Sequence, residues 1–451
     1  MTNSGPAPAG ARRVAVAAAI GNLLEWFDFA LYGFFAVIIG KLFFPSGNAT
    51  ASLLAALAVF GVAFLVRPLG GVVLGAFADR AGRRAALSAC VLLMGIATTL
   101  IALLPTYASV GVLAPILLVL LRCLQGFSAG GEYAGAAAFL LEYAPENRRG
   151  LWSSIVSATA AIGVMFGGLV TLGFATLLTE AQLEAWGWRV PFLLAAPLAV
   201  VGLYVRLRLE DTPVYRDLQR RHEVAEAPLR RAGRQNLPAI GLVFACTAVA
   251  GLGFYYLATY TVTFLTVTVG LERPEALLLA VGGLALYSLL CPLAGMLGDR
   301  IGRRPTMLTG AAGLAVVAIP CFALIATGEP ALVLTGLVVF ATFESLVNVM
   351  LGVLLVELFP AATRVSGSAV GFNLAQALIG GPGPLVAAAL AAALTFSVAP
   401  ALYIALVAGV AALALARALP ETRGVAVGSA PEPSRFNREP VEAPVAQATV
   451  S

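Results

Sequence analysis

The chain has 451 residues, 60% of them apolar and 11% charged, with 28 Lys and Arg against 23 Asp and Glu for a formal net charge of +5. A soluble domain carries about 25% charged residues; this balance, with a mean hydropathy of +0.93, excludes a water-soluble globule, a disordered chain and a collagen-like fibre. The arginines form short clusters between apolar runs, so no nucleic-acid partner is expected.

In chain order, residues 1–13 are small and polar and carry Arg12 and Arg13. Twelve apolar segments follow, near 14–39, 52–77, 86–104, 110–141, 150–176, 189–207, 237–268, 274–298, 306–326, 330–357, 365–394 and 398–418. A spanning helix needs about 20 apolar residues. Lipid offers the backbone no partners, so each segment is predicted to be helical. The short alternating segments of a β-barrel are absent. The first run is too long for a cleavable signal and carries acids in its middle. Residues 419–451 are rich in Pro, Ala, Glu and Arg without an apolar run, which predicts a disordered tail.

The connections alternate in charge. One set holds Arg12, Arg13, Arg80, Arg83, Arg84, Arg148, Arg149, the 208–236 loop, Arg300, Arg303, Arg304, Arg364 and Arg423. The other holds Lys41, Arg189 and Arg273, beside Glu184, Glu272 and Glu275. The positive-inside rule puts the first set and both termini in the cytoplasm.

A repeat divides the chain. Gly75-x-x-x-Asp79-Arg80-x-Gly82-Arg83-Arg84 recurs as Gly295-x-x-x-Asp299-Arg300-x-Gly302-Arg303-Arg304. Glu142-x-x-Pro145-x-x-x-Arg149 recurs as Glu357-x-x-Pro360-x-x-x-Arg364. Two motifs repeated in one order predict an all-α membrane protein of twelve helices in two pseudo-symmetric six-helix bundles, 14–207 and 237–418, joined by a cytoplasmic linker 208–236. Such halves place a site at their interface.

Cys90, Cys123, Cys246, Cys291 and Cys321 fall inside apolar runs and are expected as reduced, packed thiols. His222 stands in a polar stretch and is read as a solvated loop residue. No metal, cofactor or catalytic triad is expected.

These motifs resemble the major facilitator superfamily, whose hallmark is the Gly-x-x-x-Asp-Arg-x-Gly-Arg-Arg loop. Gly21-Asn22-x-x-Glu25-Trp26-Phe27-Asp28-Phe29 is similar to its metabolite:H+ symporters, as are Arg67-Pro68-Leu69-Gly70-Gly71, Gln125-Gly126-x-x-x-Gly130-Gly131-Glu132-Tyr133, Trp186-Gly187-Trp188-Arg189 and Glu210-Asp211-Thr212-Pro213. The resemblance covers about residues 15–420. It implies a multi-pass protein of the bacterial inner membrane that moves a small metabolite with protons, and helices 1 and 4 lining the cavity. The fifth helix lacks a Gly-Pro pair, which favours symport over antiport.

Ionisable side chains inside a bilayer cost about 2.5–3.5 kcal/mol each on insertion scales, so they need a reason. Glu25, Asp28 and Tyr32 share one face of helix 1. Arg122, Gln125 and Glu132 share one face of helix 4. The functional expectation is that Arg122 binds a substrate carboxylate, with Tyr32 and Gln125 beside it, and that Glu25 or Asp28 pairs with Arg122 when ionised. A structural ion pair is the alternative. Glu132 is read either as a proton relay or as the partner of Arg67, with the pairing favoured. In the second half, Tyr255, Tyr256 and Tyr260 offer phenols to a solute or pack the core. Glu344 supplies an intramembrane acid with Asn348 one turn away. Asn373 and Gln376 share a face of helix 11, and Gly380-Gly381-Pro382-Gly383-Pro384 is predicted to interrupt that helix. Gating is assigned to Asp79, Arg80, Arg83, Arg84, Glu142 and Arg149 and to their repeats Asp299, Arg300, Arg303, Arg304, Glu357 and Arg364. In it, each aspartate meets a helix N-terminus and the arginines meet the glutamates. A purely topological role for those arginines is the alternative.

The expected function is proton-coupled import of an organic carboxylate or zwitterion, such as proline or betaine, by a monomer in the lipid bilayer. A facilitator or exchanger of the same fold and a non-transporting metabolite receptor are the alternatives. A membrane enzyme would need nucleophile or metal motifs that the chain does not offer.

Overall fold

The computed structural model describes residues 11–207, 211–221, 236–394 and 396–425. Residues 1–10, most of the 208–236 linker with His222, and the tail beyond Val425 lie outside the described residues, and so do the expectations for them. Among the described residues the chain is helical and has no strand. We number the helices α1 (Ala11–Phe34), α2 (Ala49–Ala81), α3 (Arg83–Leu103), α4 (Leu113–Leu141), α5 (Arg149–Leu177), α6 (Arg189–Leu207), α7 (Leu237–Val269), α8 (Arg273–Ile301), α9 (Arg303–Ile325), α10 (Pro330–Glu357), α11 (Ala361–Ala393) and α12 (Ala399–Ala418).

Ten of these pass as membrane spans alone, and two bent pairs bring the total to twelve. One pair is α1 with Ala36–Phe43, bent by 60°; the other is Glu180–Gly187 with α6, bent by 43°. The first bend lays Phe35 on Phe192 and Phe43 edge-on to Trp188, with ring centroids 6.2 Å and 5.7 Å apart. Both contacts tie α1 to the start of α6.

Helices α3 and α9 begin three residues earlier than the hydropathy predicts. The Gly-Arg-Arg of each repeated loop starts the helix rather than preceding it. Gly82 and Gly302 take φ of 104° and 110°, which only glycine adopts freely. The next two backbone N–H groups then donate to a carboxylate: Asp211 for Arg83 and Arg84, Glu421 for Arg303 and Arg304.

Helix α11 is interrupted where expected, by a turn at Gly381–Pro382. A π-helical turn over Gln376–Gly380 leads into it, and the helix resumes at Gly383 with Pro384 in its first turn, where no donor is needed. A matching π-turn runs over Tyr256–Tyr260 in α7.

Helices α1–α6 form one half and α7–α12 the other. They meet along α2 against α11 and α5 against α8, which are equivalent pairs under the repeat. Small residues allow both: Gly75 lies on the Ser366 backbone and Gly150 on that of Gly295. Large apolar residues such as Leu120, Val200, Leu289, Val316 and Leu406 stay exposed on the outer surface, as a lipid-facing wall requires.

Candidate functional site

At the arginine-rich end the two halves are clamped by charges that both repeats supply. Asp79, at the end of α2, accepts from Ser366 N at 3.0 Å and from its hydroxyl at 2.5 Å, at the start of α11. Asp299, at the end of α8, accepts from Gly150 N at 2.8 Å and Leu151 N at 2.9 Å, at the start of α5. Both carboxylates thus sit at positive helix ends of the opposite half. Arg364 donates to Glu142 at 2.8 Å and Arg149 to Glu357 at 3.0 Å, each across the interface. Arg83 joins Asp79 at 3.2 Å, and Arg303 joins Asp299 at 3.1 Å.

The expected gating set narrows in one respect. Arg83 and Arg303 take the acidic partners because they are buried, whereas Arg80, Arg300 and Arg304 are exposed and Arg84 is half-buried. The Arg304 guanidinium goes to the Ala416 carbonyl of its own half. The segments after α6 and α12 were missed as part of this clamp. Thr422 donates to Glu357 at 2.6 Å, and the Val425 carbonyl accepts from Arg149 at 2.5 Å. Tyr215 donates to the Arg80 carbonyl at 2.5 Å and lies under the Arg83 guanidinium. The signal was available: Asp211-Thr212 and Glu421-Thr422 are themselves a repeat.

Near the helix middles lie two arginines with different surroundings. Arg122 donates to Gln125 at 2.9 Å, and its guanidinium carbon sits 4.2 Å from the Tyr32 ring centre and 5.3 Å from those of Phe29 and Phe60. Its Nε and Nη2 have no hydrogen-bond partner. The expected direct pair between Arg122 and Glu25 or Asp28 does not form. Gln125 donates onward to the Thr98 hydroxyl at 2.6 Å, and Thr98 lies 2.9 Å from Asp28 Oδ2. Thr98 is also 2.9 Å from the Met94 carbonyl, so its single proton serves one acceptor at a time. With Asp28 ionised it points to Asp28; with Asp28 protonated, Asp28 donates to it and it turns to Met94. Thr98 was missed because a threonine in a helix usually bonds only its own backbone.

Arg67, on α2, is the second arginine. It is fully buried and makes its ion pair with Glu25, 3.5 Å from Nη2, rather than with Glu132. Its Nε donates to Asn373 of the other half at 3.3 Å, and Nη2 to the Ala129 carbonyl at 3.2 Å. Asn373 in turn donates to the Gly130 carbonyl at 2.7 Å. Gly126 and Gly130 bring α4 onto the α2 backbone at Ala63 and Arg67, which is why so long a side chain stays inside. Glu132 is buried and lines a narrow pocket with Glu25 and Asp28, between α1, α3, α4 and α6.

A small chamber lies between the halves. Its walls are Trp26, Tyr133, Phe254 and Phe372, with Asn348 and Gln376 as its amides. Tyr133 stacks on Phe372 with centroids 4.7 Å apart and donates to Asn348 at 3.3 Å; Ser157 donates to the same Oδ1 at 3.2 Å. Asn348 donates to Glu344, also fully buried, at 3.2 Å. Trp26 Nε1 and Gln376 Oε1 have no partner. The void admits no more than a water-sized body, so a solute needs the halves to part.

Of the three tyrosines on α7, only Tyr255 faces this region, packed on Trp26, Phe60 and Phe64. Tyr256 and Tyr260 are corrected to the core of the second half. Tyr256 donates to the Pro400 carbonyl at 2.8 Å and lies against Phe322; Tyr260 lies against Phe264. Adjacent residues on a helix point about 100° apart, so neighbours in sequence part company. Tyr32 donates to the Ala56 carbonyl at 3.1 Å, which leaves its ring rather than its hydroxyl to act on Arg122. Among the described residues no group of acids, cysteines or histidines is placed to hold a metal ion.

The family described as sugar (and other) transporters matches residues 14–241, and the one described as the major facilitator superfamily matches 243–448. The chain is 36% identical to the proline/betaine transporter of Escherichia coli over 410 residues, which covers 88% of this chain and 81% of that one. It is 36% identical to the α-ketoglutarate permease of the same organism, covering 83% and 86%. Among solved structures, the proton:xylose symporter XylE superposes with a TM-score of 0.77 at 20% identity, over 94% of this chain and 98% of that one. These families and relatives are transporters, not enzymes. The chain belongs to the major facilitator superfamily of membrane transporters, as a multi-pass protein of the bacterial inner membrane.

Proposed function

We propose that the protein is a proton-coupled symporter, working as a monomer, that imports a small polar carboxylate or zwitterion by alternating access. Its termini and arginine-rich end face the cytoplasm, by the positive-inside rule. Proline, betaine and α-ketoglutarate, named for the relatives above, all carry a carboxylate.

The observation that carries this reading is the buried relay Arg122–Gln125–Thr98–Asp28, whose middle hydroxyl lies 2.9 Å from both Asp28 Oδ2 and the Met94 carbonyl and so can turn from one to the other as Asp28 gains or loses a proton. Two arginines and four acids inside the helices are costly unless transport uses them. In this reading Asp28 and Glu25 carry the coupled proton, Glu132 and Glu344 pass protons, and Asn348, Gln376 and Tyr255 meet the solute. The clamp at Asp79 and Asp299 releases the halves. Occupying or neutralising the middle biases one arrangement over the other.

The test is uptake of labelled L-proline, glycine betaine and α-ketoglutarate into proteoliposomes with an imposed inward proton gradient. Accumulation above equilibrium that collapses with a protonophore, and is lost in Asp28→Asn, is expected. Equilibration without accumulation would make the protein a facilitator; solute binding without flux would make it a receptor.

A further inference from the structure

A solute carboxylate needs a cation, and the chamber wall contains no charged side chain. Arg122 does not line it; Tyr32, Phe29 and Phe60 enclose its guanidinium, with Tyr255 of the other half beside them. Arg67 instead faces the other half. Its guanidinium carbon is 5.7 Å from the ring of Phe372, and Phe372 is itself a chamber wall. Arg67 Nη1 is buried without a well-formed hydrogen bond, with the Tyr255 hydroxyl as its polar neighbour. Among the described residues its carboxylate partner is Glu25, at 3.5 Å, longer than the about 2.7–2.9 Å of a well-formed charged hydrogen bond.

We infer that Arg67, not Arg122, binds the carboxylate of the transported solute, and that the solute takes the place of Glu25. This rests on the reading that the solute is an acid. A proton from water adds to Glu25, which becomes neutral and lets go of Arg67. The solute carboxylate then restores the counter-charge. On release the carboxylate leaves, the proton leaves Glu25, and the original pair re-forms. One proton accompanies one carboxylate, because the proton taken up by Glu25 and the incoming carboxylate together leave the net charge beside Arg67 unchanged. Glu25 is faced by Asp28 on its own helix, Arg67 on α2, Glu132 and Tyr133 on α4, and Tyr255 on α7. Parting of the halves removes Asn373 from Nε, so a second donor opens beside Nη1 and a two-oxygen ligand has a fork to meet.

Equilibrium binding to the full-length protein in nanodiscs tests this, with L-proline, glycine betaine, α-ketoglutarate, L-prolinamide and D-xylose as probes. At least one acid should bind, tightening as pH falls. If the acid is proline, prolinamide should bind about 10-fold or more weakly. Arg67→Gln should weaken the acid by about 10- to 100-fold, with Arg67→Lys between. Glu25→Gln leaves Arg67 in place, so it tests the exchange even where an Arg67 variant does not fold. It should bind the acid at least as tightly as wild type at low pH, and lose the pH dependence. An acid affinity within threefold of wild type in Arg67→Gln overturns the inference, as does weakened binding in Glu25→Gln. Failure of all three acids, with or without xylose binding, overturns it too. No gradient is present, so the symport reading is judged apart. An acid held by Arg67 but never accumulated sinks that reading and leaves this one.

Discussion

Asp299→Asn perturbs the clamp at its best-defined point. Asp299 accepts two backbone bonds from the start of α5, at 2.8 Å and 2.9 Å, and pairs with Arg303 at 3.1 Å. The α5 bonds exist only while the halves touch at that end. A hydrogen bond to a charged group contributes about 1.5–3 kcal/mol. Asparagine keeps one acceptor and loses the charge, so the closed arrangement should lose about 2 kcal/mol. At about 1.4 kcal/mol per tenfold, the ratio of open to closed rises about 30-fold. Ser153 is a suitable reporter, because it is buried at this interface and donates to Val349 of the other half at 2.8 Å. With the five native cysteines replaced, Ser153→Cys should react with a soluble maleimide about 30-fold faster in Asp299→Asn while closure limits the rate. Asp79→Asn, which frees α11 instead, should add to this, since the two contacts share no partner. A rate unchanged within threefold in the double variant would refute the reasoning.

Three further outcomes are expected. Thr98→Val keeps shape but removes the hydroxyl between Gln125 and Asp28; gradient-driven uptake should fall by about tenfold or more while solute exchange persists, and unchanged accumulation would remove the relay from the mechanism. Tyr256→Phe should cost about 1 kcal/mol of stability through the lost bond to Pro400 and leave solute affinity unchanged; a weakened affinity would return Tyr256 to the site. Gly253→Ala places a methyl group against the Glu344 carboxylate and should destabilise by about 1–3 kcal/mol, measured by unfolding in detergent. That cost should shrink in a Glu344→Ala background, and an equal cost in both would exclude the steric cause.

The clamp residues were the most legible part of the site. Asp79, Glu142, Arg149, Asp299, Glu357 and Arg364 stand in motifs that occur twice at matching places, which marked the aspartates for helix N-termini and the glutamates for arginines but not which helix or which arginine each would meet. The interior site was legible only as an inventory. Glu25, Asp28 and Arg122 announce themselves as charges in apolar helices, yet Glu25 turned to Arg67, and Asp28 reached Arg122 only through Thr98 and Gln125. Tyr255, Tyr256 and Tyr260 looked equivalent in a row and were divided between the interface and the core.

By itself the amino-acid order determined the solvent, the secondary structure and the two-fold plan. A chain with so little charge and such long apolar runs has no stable place in water, and of the helix and closed barrel that lipid allows a backbone, runs of this length fit only the helix. Tertiary structure alone decided which buried charge meets which. That depends on how far each helix is rotated and how closely its glycines let it approach a neighbour. Both are properties of pairs of helices from distant parts of the chain, and no local stretch encodes them.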